Sequence, residues 1–252
     1  MKLVECLAAV AAAVSLMSSC AVRIDRQKML DLINHEKSIR LVGSDVFVEK
    51  DTSVAPFTTV NAFCSMFDYE LVQDDSFHVS VNVPDNFLPY LEVKSENGCL
   101  DIKLDGGRRA SIRNAGDMSV VIYAPSVDTV NVAGSCDFEC REFRADRPLN
   151  FYLAGSTDLE LGTVKVPEIG FIVSGSGDVD VDCLEAGSLF LSIAGSADAE
   201  LSGSVGKAFF SVSGSGSVDA EKLKCASAEA SVSGSGSVTY SDADGKVHRK
   251  ER

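Results

Sequence analysis

From Val130 to Tyr240 the chain writes one short pattern six times, and no ordinary globular core is built that way. The copies centre on Gly134, Gly155, Gly175, Gly195, Gly214 and Gly234, at spacings of 21, 20, 20, 19 and 20 residues. Two positions before each Gly stand Val132, Leu153, Val173, Ile193, Val212 and Val232, and four before it Val130, Phe151, Phe171, Leu191, Phe210 and Ala230. Four positions after it stand Phe138, Leu159, Val179, Ala199, Val218 and Val238, and six after it Cys140, Leu161, Val181, Leu201, Ala220 and Tyr240. The position between these last two is polar in every copy: Glu139, Glu160, Asp180, Glu200, Asp219 and Thr239. Apolar and polar residues therefore alternate with period two on both sides of a Gly-Ser corner, which is strand, turn, strand with one face buried. A helix, with its period of 3.6, cannot produce it.

One such unit cannot bury its own apolar face, but stacked copies share a continuous core and pair each strand with its equivalent in the next copy. About twenty residues per turn leaves room for a third side. Phe143, Val164, Leu184 and Leu223, each nine past its Gly, are expected to supply its inward side chains. The predicted fold is all-β, a right-handed parallel β-helix (solenoid) whose six regular rungs, at about 4.8 Å each, make a stack of roughly 25–30 Å. Upstream, "SFHVSVNVP" and "GCLDIKLDGG" also alternate, the second stopping at Gly106-Gly107. The expected organisation is a signal peptide over 1–19, a tether over 20–38, irregular rungs over 39–130, the six-rung repeat over 131–245 and a charged tail over 246–252.

Three positions after the Gly lies a second polar column, Asp137, Asp158, Asp178, Asp198, Ser217 and Ser237. Stacked carboxylates could hold calcium, serve acid catalysis, or cap turns by accepting hydrogen bonds from nearby backbone N–H groups. Ser replaces Asp in the last two copies, and a neutral hydroxyl is a poor calcium ligand but an adequate cap. Turn-capping is the reading this favours. Paired-acid hydrolysis needs two carboxyls in unlike environments, which equivalent residues of a repeat do not offer. "GSGS" is corner composition rather than a nucleophile elbow. His78 falls on an outward strand position, His35 in the tether and His248 in the tail, so surface placement explains each. No catalytic residue, metal site or cofactor is expected, and the ligand-binding residues are left unassigned.

The first twenty residues, "MKLVECLAAVAAAVSLMSSC", hold an apolar run from Leu7 to Met17 that is too short to span a bilayer and reads as an export signal. "LMSSC" resembles the lipobox of bacterial lipoproteins, which makes Cys20 the expected lipidation site. Past it, "CAVRIDRQK" lacks a dense acidic stretch. With Cys6 in the signal and Cys20 acylated, Cys64, Cys99, Cys136, Cys140, Cys183 and Cys225 remain. There is no C-x-x-C and there are only three His, so zinc is not expected. Neither Cys136 with Cys140 nor Cys183 with Cys225 should form a disulfide, because the first pair is about 13 Å apart when extended and the second lies two rungs apart in different columns. The formal charge of −14 excludes nucleic acid as a partner, since phosphate binding needs clustered cations. One basic cluster stands out: Arg108, Arg109, Arg113, Arg141, Arg144 and Arg147. It could hold an anionic glycan or pair surface carboxylates, and the second is favoured.

The six "[AS]-G-S-x-[DS]" corners, with "FTTVNAFCSMFDYELVQDDSFHVSVNVPDN" and "NGCLDIKL" upstream, resemble the head GIN domain family of adhesin-like envelope lipoproteins over about residues 40–245. The resemblance implies a β-helical fold and a cell-envelope location, and leaves activity open. The expected function is non-enzymatic: an envelope lipoprotein serving as an adhesin or as a glycan- or protein-binding β-helix module. The alternatives are a purely structural envelope protein, then a carbohydrate-active β-helix enzyme, which a groove with unrepeated acids beside the Arg cluster would promote. Expected partners are the membrane through an N-terminal lipid, a glycan or envelope protein, and a second copy of the chain.

Overall fold

The structure, a computed structural model, describes residues 39–63, 66–104, 110–113 and 116–251. Cys20, the signal, the tether, His35, Cys64, Arg108 and Arg109 lie outside them. In the repeat the six glycines stand one above another. Parallel pairing sets Gly134 against Gly155, then Gly155 against Gly175, Gly175 against Gly195, Gly195 against Gly214 and Gly214 against Gly234. The period of twenty is thus one rung of a parallel β-helix.

From Asp158 onward each rung is a single bent strand: Asp158–Gly175, Val179–Gly195, Ala199–Gly214 and Ser217–Gly234. The Gly-Ser corner is where one such strand ends and the next begins. At Gly175 φ is +149°, and a Cβ there would run into the carbonyl oxygen of Gly155 on the rung below. The corner therefore needs glycine twice over, for its backbone angle and for the close approach of the neighbouring rung.

The predicted columns point inward. Val132, Leu153, Val173, Ile193 and Val212 form one buried file and Phe138, Leu159, Val179, Ala199, Val218 and Val238 another. Phe143, Val164, Leu184 and Leu223 are fully buried on the third side. Phe151 and Phe171 stack with ring centroids 5.6 Å apart. Each such side chain contributes about 1.5–3 kcal/mol by leaving water, repeated rung after rung. One inward file does not show in the alternation. Cys136, Thr157, Gly177, Ala197, Gly216 and Gly236, two past the central Gly, are buried inside the corner. All are small because the space is: a Cβ at Gly177 would meet the Thr157 carbonyl. Cys99, Cys140, Cys183 and Cys225 are free thiols. Burial pushes the Cys140 thiol up to about 12 and that of Cys225 to about 11, so both act as small apolar fillers.

Upstream of the repeat, spatial order departs from chain order. Thr59–Ala62 and Phe67–Gln73 pair in parallel with the first repeat rung, Thr129–Gly134 and Asp137–Arg144. On their other side they pair with Cys99–Leu104 and Met118–Ala124, which come later in the chain. Side chains mark the same crossing: Asn131 donates to Asn61 at 2.9 Å and Asn61 to Asp101 at 2.9 Å. Antiparallel strands then finish this end. His78–Pro84 lies on Met118–Ala124 and Phe47–Ser53 on His78–Pro84, while Leu91–Glu96 folds back on Cys99–Leu104 through Asn97-Gly98, both at positive φ. The alternation of "SFHVSVNVP" does mark a strand, but an antiparallel one. At the other end the charged tail is not loose: Val247–Lys250 pairs antiparallel with Ser237–Asp242.

Candidate functional site

The polar columns face outward on the second side of the rungs, and the structure separates what each does. The Asp column caps between rungs rather than within its own turn. Asp158 accepts from the backbone N–H of Asp178 at 3.0 Å, Asp178 from that of Asp198 at 3.1 Å, and Asp198 from that of Ser217 at 2.8 Å. Ser217 adds its hydroxyl to Asp198 at 2.7 Å. These carboxylates satisfy ladder donors that the corner would otherwise leave to water. Among the described residues no cluster of His, Cys, Asp and Glu is arranged to hold a metal ion.

Beside this ladder runs a groove of about 670 Å³ crossing several rungs. Its floor carries Glu139, Glu160, Asp180 and Glu200, one column about 4.8 Å from rung to rung, with Asp182 standing outside that column. Local backbone irregularity opens it. Register shifts fall between Val181 and Leu184 and between Glu200 and Ser202, and such bulges re-aim side chains. Gly162 lines it, at a position where a Cβ would meet the Arg141 carbonyl. Cations close both ends. Arg141 lies 2.8 Å from Glu139 and 3.7 Å from Glu70, and Lys222 lies 2.7 Å from Glu200. Among the described residues no salt bridge reaches Glu160, Asp180 or Asp182. Partial burial, then Glu200, Asp178, Asp158 and Asp182, hold the Asp180 carboxyl above its usual value. The groove carries no aromatic ring among its lining residues.

The remaining singled-out residues find structural partners. Arg144 pairs with Glu142 at 2.8 Å and Arg147 with Asp128 at 2.7 Å, so with Arg141 they pair surface carboxylates as favoured. Arg113 lends its carbonyl to the backbone N–H of Gly43. His78 stacks on Tyr123 with centroids 4.0 Å apart. His248 is more than a tail residue: it stacks on Tyr240 and meets Asp242 at 3.0 Å, closing the last rung. Sequence reasoning found the groove's carboxylate column but not the groove, because the bulges that open it leave no mark in the alternation.

Residues 56–248 match the family model described as "Putative auto-transporter adhesin, head GIN domain". No curated protein matches. Among solved structures, the chain is similar to a "Putative lipid binding protein" from Parabacteroides distasonis, with 25% identity, 77% of this chain and 82% of that chain covered, and a TM-score of 0.71. It is similar to a "putative adhesin" from the same organism, at 24% identity over 78% of this chain and 82% of that chain, TM-score 0.70. A "putative adhesin" from Parabacteroides merdae aligns at 18% identity over 80% of this chain and 98% of that chain, TM-score 0.68. The last two attest the fold.

Proposed function

Because the chain belongs to the head GIN domain family, we propose that it is a non-enzymatic binding module of the cell envelope, held there by a lipid on Cys20. The observation that carries this reading is the use made of the repeated polar residues. The Asp column is committed to joining rungs, and the groove beside it is a long, open, repetitive surface suited to an extended glycan or protein segment. The groove's acids belong almost entirely to one repeated column, which gives little of the asymmetry that acid–base hydrolysis requires. Lipid binding, the description attached to one similar structure, receives less support, since files of side chains fill the interior. Among the described residues no helix is long and apolar enough to cross a membrane. Anchoring rests on "LMSSC".

Two variants test the parts separately. Cys20→Ser should abolish acyl labelling and release the chain from membranes, whereas retention and labelling equal to wild type would refute the anchor. Cells displaying the chain should bind glycan- or protein-coated surfaces, and Glu160→Lys with Asp180→Lys should reduce that binding. Binding unchanged by the double variant would move the contact to another face, and equal adherence by cells lacking the chain would refute the module.

A further inference from the structure

A β-helix must end somewhere, and an open strand edge at either end is a template for another strand. Among the described residues, four strands form the outer edges of the main sheet, and three are defended. On Phe47–Ser53, Lys50 sits opposite the fully buried Val81, on the face that continues the core. On Val247–Lys250, Lys250 sits opposite the fully buried Val238 in the same way. An inward-facing lysine is a standard block against a further strand. Leu91–Glu96 presents Glu92, Lys94 and Glu96 outward and follows the 3-10 turn Asp85–Tyr90, whose Phe87 is fully buried.

The fourth edge has none of this. The last long strand, Ser217–Gly234, pairs along its outer side only as far as Cys225, so among the described residues no strand pairs with the outer side of 226–234. That stretch reads "ASAEASVSG", with Glu229 its single charge. Ala228, Ala230 and Val232 continue the core files but are half-exposed, whereas Ala208, Phe210 and Val212 beneath them are fully buried.

We propose that two copies of this chain pair antiparallel through the 226–234 edge about a two-fold axis. Charge chooses this arrangement over the alternative. Head-to-tail stacking would bring Lys250 of one copy toward Lys50 of the next, like against like on the second side. The two-fold pairing centred on Ala230 instead sets Glu229 opposite Ser231 of the second copy, so no like charges face one another. It also sets Ala228 opposite Val232 on the inward face, which continues both cores across the seam. Opposed residues of antiparallel strands share a face, and a self-complementary edge is what a two-fold interface requires.

Sedimentation velocity of the full chain over a wide concentration range, with hydrogen exchange of the 226–234 amides, tests the pairing. A monomer–dimer equilibrium is expected, with these amides protected more as the dimer forms. Ser231→Glu lies on the exposed face and places two like-charge pairs across the seam, so it should weaken association roughly tenfold. Adding Glu229→Lys to it turns both pairs attractive and should restore association. A monomer at every concentration would overturn the proposal. If the amides of that monomer are protected, a segment of the same chain, such as residues before 39, covers the edge instead. Dimerisation unmoved by Ser231→Glu would also overturn it, by placing the contact elsewhere.

Discussion

Between Thr129 and Tyr240 every rung rests on a near copy of itself, whereas between Phe47 and Ala124 only Thr59–Ala62 and Phe67–Gln73 do, where they lie on the first repeat rung. In the first region an interface repeats, and the same small set of side chains satisfies it each time. In the second, strands from distant parts of the chain interleave out of order and close the end antiparallel. The repeat is held together locally, rung to rung, and its stability should approximate a sum of like terms. The upstream region, interleaved out of chain order and closed antiparallel, should melt as one unit.

The largest contrast is in the glycines. Gly175 combines φ of +149° with a Cβ position blocked by the Gly155 carbonyl, so Gly175→Ala should cost about 3 kcal/mol or more from strain and displaced backbone together. Gly98, in the upstream hairpin, has φ of +77° but open space around a Cβ. Gly98→Ala should cost only about 1 kcal/mol. Denaturant melts of the two variants measure the gap, and equal losses would mean that neighbouring rungs do not constrain the corner.

A smaller effect separates capping from ornament. Asp178→Ala removes the acceptor for the Asp198 N–H and should cost about 1 kcal/mol, while Asp178→Ser, the residue the chain itself uses later in this column, should cost less. If Ala and Ser prove equal and silent in thermal melts, the ladder contributes nothing.

The smallest effect depends on pH. Burial first, and then Glu200, Asp178, Asp158 and Asp182, raise the Asp180 carboxyl above its usual value. The folded chain therefore takes up this proton more readily than the unfolded chain. This group favours folding fully only below its unfolded value of about 3.9, and that contribution is lost as pH rises through the raised one. Asp180→Asn removes the repulsion, so it should stabilise the fold slightly at neutral pH, and the difference should vanish in acid. An Asn variant less stable than wild type at neutral pH would show that the carboxylate is held by an attraction the groove geometry does not display.

The two regions also differ in how far their sequence could be read. The columns around Gly134 to Gly234 were legible because each position is apolar or polar in nearly every copy, and parallel stacking turns that into depth. The corner file of Cys136, Thr157 and Gly177 was not, since its members share size rather than polarity. The Asp column was recognised as capping, yet its reach from rung to rung appears only once the rungs are stacked. Upstream, Val79 and Val81 alternate as well as any repeat strand, but period two is common to parallel and antiparallel neighbours. Nothing in a single chain's alternation says that Thr59–Ala62 lies between Cys99–Leu104 and Thr129–Gly134.

The central claim, that twenty residues are one interchangeable rung, is tested most directly by deletion. Removing Ser176 through Gly195 joins Gly175 to Ser196 and leaves every column in register, since Gly175 and Gly195 already occupy equivalent places. Removing only Ser176 through Glu185 takes out half a rung and slides the later columns out of the core. Circular dichroism and denaturant melts of both should show the whole-rung variant folded, cooperative and somewhat less stable, and the half-rung variant unfolded or aggregated. Equal collapse of the two would contradict the rung as the unit of this fold.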